Sequence, residues 1–244
     1  MRAAGLPAGG GGNLPASQQA NAAFDPAQFL ALVSQDIRQR SGSVFYSGPA
    51  AFSRPSPLYI LGLNPGGSPI VQADETIQHD MDSFFESGAA WSRYADESWQ
   101  GQPPGTFGMQ PRVLHLLRGL ELDPRMVPAS NVVFVRTTNE ATLNAEKRSL
   151  LGACWPLHHA VIEQLSVRTV LCFGGTAGGW VREALGAHEP VDSFVEGNAR
   201  RWRSSAHLNE AGLCVITATH PSRANWENPL ADPTPLVERM LLRS

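Results

Sequence analysis

Cysteine, lysine and long apolar runs are all scarce in this chain of 244 residues, and each shortage removes a class of function. The three cysteines, Cys154, Cys172 and Cys214, are an odd number with no CxxC spacing. A disulfide framework is therefore not indicated, nor a zinc or iron–sulfur clip, and no cofactor or metal is expected. Lys147 is the one lysine; every other basic residue is arginine. Schiff-base chemistry needs a lysine or terminal amine and has little to draw on here. No apolar run approaches the roughly 20 residues that span a bilayer. The start, rich in Gly and Ala, lacks the compact apolar segment of a secretory signal. A cytoplasmic address with no membrane partner is the expectation. Charge is nearly balanced, 19 basic against 22 acidic residues for a net −3. That argues against a nucleic-acid coat protein but leaves room for a local basic face.

What is present reads as one domain. Residues 1 to about 24 form a tail without fold information, and residues 25–244 follow without a linker or repeat. Phe29, Leu32, Val33 and Ile37 sit at helical spacing behind Asp25-Pro26, predicting an amphipathic helix. LYILGLN after Pro57, NVVFVRT (131–137) and RTVLCFGG (168–175) read as buried strands, and GLCVITATH (212–220) as a further one. Another is expected within 193–206. Helices are expected over 74–87, 112–122, 146–165 (bent or restarted near Pro156), TAGGWVREALG and the final PLVERMLLR. Continuous apolar strands alternating with helices predict an α/β fold, a three-layer α/β/α sandwich around a mainly parallel sheet. Ligands of such sheets bind outside the carboxyl ends of the strands.

Two strand ends carry unusual chemistry. The first delivers Asn64 onto the stiff turn Pro65-Gly66-Gly67. The strand CVITAT delivers His220-Pro221-Ser222-Arg223. Leaving at the same edge of a parallel sheet, Asn64 and His220 are expected to share one crevice. Taken singly, each has a plain explanation: Asn, Pro and Gly end strands well, and His often caps.

Together, GLNPG (62–66) and HPSRAN (220–225) resemble the two signature motifs of the uracil-DNA glycosylase superfamily. The likeness is to its mismatch-specific and single-strand-selective branches. SNVVFVRTTN (130–139), the helix with CWPLHHAVIEQL, and VRTVLCFGGTAGGWV resemble, in order, the superfamily's base-recognition strand, its next helix and its next strand–helix. GTFGMQPRVLHLL (105–117) resembles its pocket loop. The resemblance spans roughly residues 55 to 225. It implies a monofunctional, monomeric enzyme of base excision repair that hydrolyses the N-glycosidic bond of uracil or another deaminated base in DNA. Asn64 would then hold the attacking water and His220 would stabilise the departing base. Asn131 would read the base edge, with Asn139 as the other candidate amide. Gly62, Leu63, Pro65 and Gly66 would shape the pocket, and Phe107 would stack on the base. Ser222 would hold a phosphate and Arg223 would wedge into the vacated stack. Arg200, Arg201 and Arg203, interleaved with Trp202, would track the strand.

Other readings compete. A non-catalytic nucleic-acid-binding module would keep the pocket without the reaction. A hydrolase of free nucleosides or nucleotides would suit the net charge. GGTAGG (174–179) lacks the Lys-Ser/Thr of a P-loop and suits close helix–strand packing instead. Asp74, Glu75, His79, Asp80 and Asp82 read as a solvated acidic helix face rather than a metal site. Ser222 beside His220 lacks the nucleophile elbow and partner acid of a serine hydrolase. The stretch 68–104 exceeds the resembled pattern and is expected to form a lid or an altered pocket wall.

Overall fold

The structure is a computed structural model, and it describes residues 24–243. Of the expected tail, residues 1–23 lie outside the described residues. Phe24 belongs to the folded body, with its N–H bonded to the Ser53 carbonyl at 3.0 Å and its ring packed on the core.

Six strands form one sheet: β1 (Leu58–Gly62), β2 (Ala129–Asn131), β3 (Thr169–Phe173), β4 (Glu189–Val195), β5 (Arg203–Leu208) and β6 (Cys214–Ala218). Their order is β2-β1-β3-β6-β5-β4. The first four are parallel, and the β4–β5 hairpin adds an antiparallel edge. The predicted α/β architecture is therefore the observed one. Side chains alternate across the sheet as strand geometry requires. Tyr59, Leu61, Val170, Cys172 and Val215 face one layer. Leu58, Ile60, Leu171, Phe173 and Ile216 face the other. The first layer holds α1 (Ala27–Ala31), α2 (Ile77–Ser83), α5 (Lys147–Gln164) and α6 (Gly175–Leu185). The second holds α3 (Gln110–Gly119) and α7 (Thr234–Leu241). The short α4 (Glu140–Ala145) precedes α5. Among the described residues, no helix is long and apolar enough to cross a membrane.

The structure differs from the expected elements in four places. The first helix stops at Ala31, and a 3-10 turn covers Gln35–Ile37. Ser34 turns the chain there, its hydroxyl accepting from the Asp36 N–H. The second strand pairs only over 129–131, although Val132, Val133, Phe134 and Val135 are all buried. Beyond Asn131 the regular register ends: the Val132 and Val133 N–H groups still reach the Gly62 and Leu63 carbonyls (2.9 and 3.0 Å), and then Phe134 accepts the Ser43 N–H instead. Helix α5 runs unbroken through Pro156. The last difference is electrostatic. Asp80 is not on a solvated face, because its carboxylate accepts the Val44 N–H at 2.7 Å and pairs with Arg93.

Candidate active site

Strand order reverses beside β1: the chain steps outward to β2, then crosses back to β3. A crevice opens at such a switch point, outside the carboxyl ends of the strands. Here it is a cleft of about 900 Å³. Asn64 lines it from the turn after β1, Asn131 from the end of β2, and His220 from the loop after β6. Gly62, Leu63, Gly66, Ser222, Arg223 and Arg203 line it as well.

Asn64 is held by its amide donors. Its Nδ2 donates to Thr137 Oγ1 at 3.1 Å and to the Pro65 carbonyl at 3.3 Å. Its Oδ1 has no partner among the described residues, so the acceptor half is open to a bound water. The turn that carries it is bolted by Arg136, only 7% exposed. The Arg136 guanidinium donates to the Gly66 carbonyl (2.8 Å), Ser41 Oγ (2.6 Å) and Glu75 Oε2 (2.9 Å).

Asn131 is 5% exposed, and its Nδ2 has no partner among the described residues. An unpaired buried donor costs about 1–3 kcal/mol. At the wall of a cleft it marks where a ligand acceptor belongs. Parallel register sets Asn131 level with Gly62. A β-carbon at position 62 would lie 2.1 Å from Asn131 Oδ1, so only glycine admits this amide. Asn131 therefore closes its strand at the functional edge instead of opening it, because the ladder starts two residues earlier than the apolar run indicates. Asn139, the rival amide, is exposed and caps α4 by accepting the Thr142 N–H at 2.9 Å.

His220 accepts the Ser222 N–H at Nδ1 (3.1 Å), and the Ser222 hydroxyl lies 2.8 Å from the same nitrogen. An Nδ1 that accepts leaves the proton of a neutral imidazole on Nε2. Burial first, then the nearby Arg223 cation, holds the His220 pKa below its ordinary value. The ring is thus neutral near pH 7 and presents a donor. Its loop is anchored by Arg112 donating to the Pro221 carbonyl and by Trp226 Nε1 donating to the Thr219 carbonyl at 3.1 Å.

Several expected residues fall elsewhere. Phe107 is not among the cleft-lining residues, and Met109 takes its place on α3's approach. The aromatic walls are Tyr46, Tyr94, Trp99, Phe173 and Trp202. Tyr94 and Trp99 come from the long stretch 68–104, which therefore builds pocket wall. Pro65 is buried behind its turn. Arg200 does not line the cleft; it donates to the Arg223 carbonyl at 2.7 Å and lies 4.4 Å over Trp202. Arg201 is exposed away from the lining. Of the glycines in 174–179, Gly178 serves packing, since a β-carbon there would lie 2.1 Å from Thr217 Oγ1, whereas Gly174 turns the chain at a φ of 90° and Gly175 and Gly179 face open space. Among the described residues no cluster of His, Cys, Asp and Glu is arranged to hold a metal.

Sequence reasoning placed Arg136 and Thr137 at the far end of the second strand without a role, and assigned none to Arg112 or Glu140. The scarcity of lysine was a signal of sorts, since planar arginine forks suit the bracing of loop carbonyls better than ammonium groups do. No protein-family model matches the chain, and no curated protein matches it.

Proposed function

We propose that the protein is a monofunctional DNA glycosylase of the uracil-DNA glycosylase type, removing uracil or another deaminated base. The observation that carries this reading is the meeting of Asn64, Asn131 and His220 in one cleft, each with an open hydrogen-bonding atom. Leaving-group departure builds negative charge on the base and positive charge on the sugar. The Nε2–H of neutral His220 donates to the base oxygen where charge gathers, and a cation is not needed there. The unpaired Nδ2 of Asn131 donates to a carbonyl on the base edge. Asn64 Oδ1 orients water toward the sugar carbon. The aromatic walls take the face of an extruded base. Arg203 and Arg223, on the cleft lining, suit a phosphate backbone and favour a DNA substrate over free nucleosides. A monomer with a cytoplasmic address accompanies this reading.

The test is a panel of oligonucleotides carrying uracil, hypoxanthine, xanthine or a thymine mismatch, single- and double-stranded, with alkali-labile sites as readout. Release from at least one, weakening steeply with salt, is expected. Activity confined to free nucleosides and indifferent to salt would replace the reading. Binding without release in every context would leave a recognition module.

A further inference from the structure

We propose that Glu140 is the carboxylate that activates the attacking water; the inference rests on the glycosylase reading above. An asparagine orients water but cannot take its proton, so Asn64 leaves the reaction without a base. Among the described residues, Glu140 is the one carboxylate that lines the cleft. Its position is costly if DNA enters there, because a surface carboxylate repels phosphates. Its placement is also braced. Glu140 Oε1 accepts from the Thr176 hydroxyl in the first turn of α6, while Oε2 has no partner among the described residues.

The same segment is wired to Asn64. Asn64 Nδ2 donates to Thr137 Oγ1 (3.1 Å), and that hydroxyl donates to the Asn139 carbonyl at 3.2 Å. Asn139 caps α4 immediately before Glu140. Asn64 is thus hydrogen-bonded to the segment that carries the carboxylate, and both residues line the cleft. In the step, the water oxygen bonds to the sugar carbon as the sugar–base bond breaks. The bonding pair leaves with the base, and the water proton passes to Glu140. The base anion, held by His220, then takes a proton from solvent.

Single-turnover base release by Glu140→Gln, on whichever oligonucleotide the wild type cleaves, tests this. The expected loss is about 100-fold, with affinity for the same oligonucleotide equal or tighter, since a negative charge has gone. Thr176→Val, which removes the carboxylate's brace, should lose about 10-fold. Wild-type rates in Glu140→Gln would overturn the proposal while leaving glycosylase activity intact. A wild type inactive on every oligonucleotide would take down the underlying reading and this inference with it.

Discussion

The two rims of the cleft hold their key side chains in opposite ways. On the Asn64 rim, the functional amide is tied to Thr137, 73 residues away, and its turn to Arg136 and so to Ser41 and Glu75. On the His220 rim, the hydrogen bonds to the imidazole among the described residues come only from Ser222, two residues on, while Phe173 meets the ring edge-on at 6.3 Å. Distant hydrogen-bonding groups there grip the backbone rather than the ring. A network built from far-apart segments is rigid and expensive to break, whereas a local clasp is cheap to form and cheap to lose. The difference fits the chemistry: a water must be placed against one carbon, while a donor to a charged oxygen tolerates more latitude.

The sharpest way to break the contrast is Arg136→Gln. It leaves the Gly66 carbonyl, Ser41 Oγ and Glu75 without the buried guanidinium that donates to all three. A stability loss of about 3 kcal/mol is expected, read by urea unfolding, with base release down about 100-fold. Equal effects from Ser222→Ala would erase the distinction.

Acid should weaken the same rim. His158 on α5 is fully buried, its Nε2 bonded to the Val132 carbonyl (3.2 Å) just after Asn131 and its Nδ1 to the Tyr59 hydroxyl (2.8 Å). Burial pushes its pKa down to about 4, from 6.5 for a free imidazole. Between those values the unfolded chain binds more protons. The stabilisation is therefore complete above pH 6.5 and is lost as pH falls toward 4, by about 3 kcal/mol. Urea midpoints measured from pH 7 to pH 4 should show this slope, and His158→Gln should flatten it.

Gly62→Ala sharpens the comparison at smaller scale. The new methyl displaces Asn131, so discrimination between bases should relax about 10-fold, measured as a ratio of release rates on two substrates. Ser222→Ala should slow release only about 5-fold, with the melting temperature unchanged. Smallest of all, Arg201→Ala should lower the salt dependence of DNA binding by about one counterion and leave the rate alone.

Legibility in the sequence follows the same division. The sheet could be read because strands buried on both faces announce themselves as apolar runs, as LYILG and TVLCF do. His220 and Ser222 could be read because their contact is local. Asn64 was legible as a residue but not in its setting, since Thr137 and Arg136 reach it only through tertiary pairing. Phe107 misled because a ring near a Gly-Met turn resembles a pocket aromatic, whereas the long stretch after β1 brings Tyr94 and Trp99 to the wall instead. Register also escaped the sequence: an unbroken apolar run from Val132 to Val135 hides where the ladder stops, and so which end Asn131 occupies.

The account stands on one opposition, an amide for water on one rim and an imidazole for the leaving base on the other. Single-turnover release measured for wild type, Asn64→Ala and His220→Ala, beside oligonucleotide affinity for each, tests it most directly. Both variants should slow release by at least about 100-fold while still binding within a few-fold of wild type. Release at the wild-type rate by either variant would contradict it.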